Sequence, residues 1–488
     1  MLGVVILLLL LVYVLYTNVT RPSRYPPGPK YWPIVGNLIS VWLKLRTLKC
    51  HHVVWSYWLR QYGDIIGLKL GNVNVVVVSG EKLIREVLTR QVFDGRPDGI
   101  FYTARSFGKK LGIVFSDGRS WQTLRRIVFK YLKHFGYNSQ VMEKIITKEC
   151  QVLVSQMEAS AGRPIHINDM FNIHVINMLW CLVAGRRYDT DDERLKEICD
   201  LITRTFKTAD MSGGVLNFMP FLRHVIPNAI GYTEMMRIHK SLYNFIGEVI
   251  ELHKMSLDPK NPRDVIDALL IEIVECREEA CSEQELKVVC LDLLEGGFET
   301  VTNTLVFMLL HLVLKPEVQR RVQEEIDRVI GSGRPPSLSD RTGMAYTEAV
   351  VLETLRISSI APVGIPHMAS DDAELGNYII PKGTTVLLAL YDLHNEKNWK
   401  EPRVFKPERF LNANGALIQN DCFIPFGLGR RRCMGELLAR SELFLFLTHL
   451  MQKFHILIPE GEPAPSPDPI NGVSLSAMPF KAIFHPRK

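Results

Sequence analysis

The chain has 488 residues, 47% of them hydrophobic and 23% charged, with a formal net charge of +6. That is ample material for one large core, and too mild a basic balance to imply a nucleic-acid partner. Its nine cysteines are scattered without paired spacing, which argues against a zinc module or a disulfide framework and fits reduced thiols facing the cytosol.

Residues 1–20 open with the apolar run MLGVVILLLLLVYVLY, close to the length that spans hydrocarbon. Arg21 and Arg24 follow at once, so the positive-inside rule leaves the body of the protein in the cytosol. A cleaved secretory leader would need a basic start and a small-residue cleavage site, and the run has neither. The expected organisation is therefore a membrane anchor over 1–20 and a stiff hinge over 21–30, where Pro26-Pro27-Gly28-Pro29 favours extended backbone. A single domain follows over 31–488, because no internal linker, repeat or low-complexity stretch divides it.

Valine-rich alternation over 64–79 predicts strands of an N-terminal sheet. From 119 to about 315 the pattern is mainly helical. Within it, Trp121 and Arg125 stand one turn apart, and Arg125, Arg126, Lys130 and Lys133 form a basic stretch. Ser282-x-x-Glu285 is a capping box that opens a long helix ended by Pro316. Gly296-Gly297-Phe298-Glu299-Thr300 interrupts that helix. Each interior glycine costs about 1 kcal/mol relative to alanine, and a buried acid costs more, so the flaw needs a functional reason. Glu353 and Arg356 share a helix face at i, i+3. Two short strands are expected around Pro381-Lys382-Gly383, between Tyr378 and Tyr391, and the tail from 463 turns from proline-rich to strand-like. The expected fold class is mainly α with a minor β-sheet.

The stretch Phe426-Gly427-Leu428-Gly429-Arg430-Arg431-Arg432-Cys433-Met434-Gly435 carries the chemistry. A lone cysteine between glycines, with Cys422 outside the turn, suggests one thiolate offered to one metal whose other ligands are not protein; haem iron fits. Glycines at 429 and 435 would let backbone pass close to a flat ring, and Phe426 would shield the sulfur. The chain has no glycine-rich dinucleotide or phosphate loop, so electrons must come from a separate donor.

The spacing Phe-x-x-Gly-x-Arg-x-Cys-x-Gly is similar to the haem-binding signature of the cytochrome P450 family, and all its fixed positions match. The resemblance implies the family fold over essentially 26–488, haem b as cofactor, and Cys433 as its axial ligand. It implies Thr300 and Glu299 as the oxygen-handling, proton-relaying pair, although Gly296 stands where relatives usually have alanine. It implies that Arg96, Trp121, Arg125, His367 and Arg431 hold the haem propionates, and that Glu353, Arg356 and Arg409 form a buried charge network. The microsomal class implies an endoplasmic-reticulum membrane location, NADPH–cytochrome reductase as donor, cytochrome b5 as a further candidate donor, and a lipophilic substrate with O2. FDGRPDG, FGKKLGIVFSDG and the surroundings of GGFETVTNT resemble the insect branch of the family-2 clan. That branch implies epoxidation of a linear sesquiterpenoid, methyl farnesoate or farnesoic acid, in juvenile-hormone biosynthesis. A hydroxylase of another lipid, steroid or xenobiotic is the alternative; an oxygen-independent isomerase or a non-enzymatic haem protein is a remote one. For the free acid, Arg105, Lys109 or Lys110 is the expected carboxylate partner.

Overall fold

The long glycine-flawed segment forms one unbroken helix, Glu283–Leu314, and the rest of the chain is built around it. Ser282 caps it by accepting from the Glu285 N–H at 3.1 Å. The reciprocal half of the expected box is redirected: the Glu285 carboxylate accepts the Gly112 N–H at 2.7 Å and so ties the helix to a distant loop. The helix ends at Lys315, before Pro316. It is apolar and long enough to cross a bilayer, but 83% of its apolar window is buried inside the protein, which makes it a core helix. These features come from a computed structural model, which describes residues 19–160, 162–208, 210–275, 282–396 and 398–487. The expected anchor at 1–20 lies almost wholly outside the described residues.

Early helices are α1 (Leu38–Leu48), α2 (His51–Tyr62), α3 (Glu81–Thr89), α4 (Ile100–Ala104), α5 (Gly118–His134), α6 (Gln140–Ala159), α7 (Asn172–Ala184) and α8 (Glu193–Thr208). They are followed by α9 (Gly214–Phe218), α10 (Leu222–Val225), α11 (Tyr232–Met255), α12 (Val265–Val274), the long α13 (Glu283–Leu314) and α14 (Pro316–Val329). The last are α15 (Ala345–Ser358), α16 (Leu390–Asn395) and α17 (Glu436–Lys453). The long helix packs against α7, α11, α15 and α17. Leu291, Leu294, Phe298 and Leu305 of α13 are buried in the same core as Leu179 of α7 and Phe444 of α17.

Strands β1 (Ile65–Leu70) and β2 (Val73–Val78) form the expected hairpin, paired from Ile65 with Val78 to Leu70 with Val73. Strands β3 (Ile165–His166), β4 (His367–Met368), β5 (Ala373–Leu375), β6 (Tyr378–Ile380) and β7 (Thr385–Leu388) follow. Both strands expected around Pro381 exist, but they do not pair with each other. β6 pairs with β5, whereas β7 runs parallel to β2 and antiparallel to β4, giving the sheet order β1-β2-β7-β4. The residues after β7 up to Tyr391 enter α16 rather than extending the strand. In the tail, β9 (Pro469–Ile470) pairs with β10 (Ser476–Ala477), and β11 (Lys481–Pro486) bridges β3 and β8 (Phe454–Leu457).

The charge network is fully interior. Glu353 and Arg356 have side chains 0% exposed, joined at 2.7 Å, and Arg409 reaches Glu353 at 3.0 Å. Arg356 also donates to the carbonyls of His394 and Pro402 at 2.7 and 2.9 Å, and the Lys406 N–H donates to Glu353 at 2.8 Å. The network thus fastens the 395–410 meander to α15. Removing one member would strand a buried charge at a cost of about 3–5 kcal/mol.

Candidate active site

The cysteine loop is shaped by its glycines. Gly429 has φ +66, and a Cβ there would lie 2.1 Å from the Leu88 carbonyl of α3. Its missing side chain therefore lets the loop pack directly on the α3 backbone. The Cys433 N–H closes the loop by donating to the Phe426 carbonyl at 2.9 Å. Arg125 of α5 donates to the Arg432 carbonyl, and the Tyr137 hydroxyl to that of Met434 at 2.5 Å. These contacts hold the loop against α5 just before α17 begins at Glu436. Cys433 is exposed, whereas Cys50, Cys150, Cys199 and Cys290 are buried. Surrounding protein still desolvates its thiol and pushes its pKa up; the N–H groups of Gly435 and Glu436 and the Arg125 charge pull the other way. Phe426 is half-buried, with the Arg440 guanidinium 5.3 Å from its ring centre.

A cationic cluster gathers beside this loop. The Arg431 guanidinium stacks 3.4 Å from the Trp121 ring centre and donates to the carbonyls of Asp94 and Ser116 at 2.6 and 2.9 Å. Arg96 donates to the Val114 and Pro366 carbonyls, both at 2.9 Å. Burial, and then the charge of Arg96, pulls the Arg431 pKa down to about 8; burial pulls Arg96 to about 10. His367 donates from Nδ1 to the Phe93 carbonyl at 2.7 Å, and burial followed by the Arg96 charge lowers its pKa to about 3. The Trp121 indole N–H and one terminal nitrogen of Arg431 are buried without a hydrogen-bond partner. Crowded cations and orphaned donors next to an accessible thiol fit a group that brings carboxylates and a thiophilic metal, as haem does. An anion there would also offset the charges of the two arginines.

On α13, Thr300 and Glu299 turn to different partners. Thr300 Oγ1 donates to the Gly296 carbonyl at 2.8 Å. Glu299 is 2% exposed and accepts from Thr203 Oγ1 of α8 and from Asn303 Nδ2, each at 2.9 Å. Burial raises its pKa, and these two bonds work against the rise. Asn303 is one helical turn from Glu299, so its role was readable from spacing; Thr203 is remote in sequence and carried no such signal. The two glycines differ as well. A Cβ on Gly297 would meet Leu179 Cδ2 at 2.8 Å, whereas one on Gly296 would meet nothing within 4 Å.

Two of the cations expected to receive a substrate carboxylate are already engaged. Arg105 is buried and donates to Asp292 at 2.7 Å and to Glu295 at 2.6 Å, two acids against one base. Lys110 is held by Asp98 at 2.7 Å and Asp117 at 2.9 Å. Lys109 reaches Gln284 at 3.5 Å on the exterior. Asp292 also accepts the N–H groups of Ile113 and Val114, at 2.6 and 3.0 Å, so the Arg105 cluster shapes a loop instead of presenting a free charge.

The Cytochrome P450 family model matches residues 26–484. The chain is 57% identical over 488 residues to Farnesoate epoxidase of Bombyx mori, covering 100% of this chain and 99% of that protein. It is 36% identical over 496 residues to Cytochrome P450 2D6 of Homo sapiens, covering 99% and 98% of the two chains. It is 35% identical over 499 residues to Cytochrome P450 2D4 of Rattus norvegicus, covering 99% and 97%. With that full-length match and the cysteine loop beside its cationic cluster, this chain belongs to the cytochrome P450 family, the haem b monooxygenases that work with a reductase, O2 and an organic substrate.

Proposed function

We propose that this enzyme epoxidises a linear sesquiterpenoid, farnesoic acid or its methyl ester, at the alkene far from the carboxyl end, in juvenile-hormone biosynthesis. The observation that carries the reading is the 57% identity, along the whole chain, to a protein named Farnesoate epoxidase. Bound haem supplies the oxidising chemistry: one atom of O2 enters the substrate and the other leaves as water. The rest is assigned to this chain's side chains. Cys433 would hold the haem iron through its thiolate, and Phe426 would cover the sulfur from water. Trp121 and Arg431, whose donors are buried without a partner, would receive the propionates, assisted by Arg96, Arg125 and His367. Thr300 and Glu299 would hold and move protons at the reacting centre. A flexible apolar chain gains rate when a dry channel holds its far alkene at the reacting centre.

Electrons enter from NADPH–cytochrome reductase, with cytochrome b5 as a second donor, at the basic face of α5 and the cysteine loop. Arg430 and Arg432 are exposed there, as is Lys130, and Arg125 links α5 to the loop. The setting is the endoplasmic-reticulum membrane, with the catalytic domain toward the cytosol. Exposed Trp32, Ile34, Trp42 and Leu43 near the start of the described chain support it, together with exposed Phe221, Val225 and Ile226 on and beside α10. The test is reconstitution with reductase, NADPH and each of the two compounds, followed by analysis for the epoxide. Epoxide from one or both is expected. Its absence from both, with hydroxylated products from unrelated lipophiles, would replace this reading with a general hydroxylase.

A further inference from the structure

We infer that Thr203 is a positioning residue for Glu299, holding the acid of α13 to α8 within a polar bracket that also takes in the turn before β10. The inference rests on the proton-handling role given to Glu299 above. Three chain segments meet in the bracket. From α8, Thr203 Oγ1 donates to Glu299 Oε2 at 2.9 Å, and three residues on, the Phe206 carbonyl accepts the Val473 N–H at 2.7 Å. From α13, Asn303 Nδ2 donates to Glu299 Oε1 at 2.9 Å and lies 3.4 Å from Ser474 Oγ. From the tail, Val473 and Ser474 are consecutive, and Leu475 N–H is fastened to the Ile360 carbonyl at 2.9 Å. A Cβ on Gly472 would lie 2.4 Å from the Phe206 carbonyl, so the tail turn sits against α8 backbone.

Both oxygens of the Glu299 carboxylate are thus held by neutral donors from different elements. The two donors are not equivalent. The Asn303 amide can only donate from its nitrogen, whereas the Thr203 hydroxyl both donates and accepts, and can follow the acid through a change of protonation. Thr203 is also the one that couples the acid to a separate helix, so any movement of α8 changes what Glu299 is bonded to. The other charged or titratable groups that act on or feel Glu299 are Lys207 and Cys199 of α8 and Asp169 before α7. A donor bonded to the carboxylate favours its charged form, so losing it raises the proton affinity of the acid.

The experiment compares Thr203→Val, Thr203→Ser and Glu299→Gln in the full-length holoenzyme. The first readout is infrared: the carboxyl band that Glu299→Gln removes is followed against pH. Thr203→Val is expected to raise its midpoint by about one pH unit, since a bond to a charged group changes such an equilibrium about tenfold. Thr203→Ser should restore the wild-type midpoint. The second readout is product formed per NADPH consumed, expected to fall several-fold in Thr203→Val and to recover in Thr203→Ser. Thr203→Ala serves the same comparison if the valine variant does not fold. An unmoved midpoint in the variant lacking the hydroxyl overturns the inference. Uncoupling by Glu299→Gln without uncoupling by Thr203→Val overturns it while leaving the Glu299 role intact. Full coupling in Glu299→Gln overturns that role instead.

Discussion

Cys433 differs from the other described cysteines by the glycine- and arginine-rich loop that carries it. Cys150, Cys199 and Cys290 have their thiol pKa raised by burial with no anion-stabilising loop around them, and they pack as small apolar groups. Cys433→Ala is expected to abolish thiolate ligation and product formation, because the loop offers no other thiol. The ferrous–CO spectrum checks this, and survival of the red-shifted thiolate band would refute the assignment. His394 shows the opposite use of burial. Its Nε2 accepts the Ile424 N–H at 3.2 Å and its Nδ1 faces Ser359 Oγ at 3.1 Å, so it must stay neutral. Burial, and then Arg356, lowers its pKa to about 3. Unfolded, it would titrate near 6.5. The unfolded chain therefore binds more protons between pH 6.5 and about 3, and stability is lost as pH falls through that window. His394→Gln keeps an acceptor for Ile424 but removes the titration. Its unfolding midpoint should fall less steeply with acid than that of the wild type. Parallel curves would show that other groups carry the acid sensitivity.

At the scale of elements, the two glycines of α13 have separate causes. Gly297 is required by packing, because a methyl there would push into Leu179 of α7. Gly296 is not required by any protein neighbour within 4 Å, so its helix penalty stands without a packing return. Gly296→Ala is expected to stabilise the protein by about 0.5–1 kcal/mol. Gly297→Ala should destabilise it by about 1–3 kcal/mol through overpacking. Thermal unfolding of both variants decides the matter; equal shifts would mean that the α7 contact yields freely. The Glu285 side chain makes a related point. A capping box was legible in the sequence, but the tertiary fold took the acid for Gly112 instead.

At the scale of the whole molecule, the segment before α1 is tied to the body. Arg21 donates to the carbonyls of Pro26 and Pro29, both at 2.7 Å, Gly67 N–H donates to the Pro27 carbonyl at 2.8 Å, and Asn37 holds the Pro29 and Lys30 carbonyls at 3.1 and 2.9 Å. A truncation that spares Arg21 therefore keeps these bonds. Deleting residues 1–18 should give a protein that binds haem and loses carbonate-resistant membrane attachment. It should retain weaker, peripheral binding through the exposed apolar residues around Trp42 and Val225. Flotation with liposomes before and after carbonate washing measures both. Undiminished carbonate-resistant attachment would contradict the single-anchor reading.

What the sequence determined by itself is local. Helix ends, the valine hairpin and the glycine-bounded cysteine loop are each written within a few residues, because caps, periodicity and turns are short-range devices. The tertiary structure alone decided which strand β7 would join, since that pairing spans the chain between residues 75 and 388. It committed Arg105 to Asp292 and Glu295, because a buried cation takes the acids the fold brings to it, whatever its sequence neighbours. It gave Gly429 its reason in the Leu88 carbonyl, and it gave Glu299 its partner in Thr203. Those contacts join residues far apart along the chain, and only packing brings them within hydrogen-bond reach.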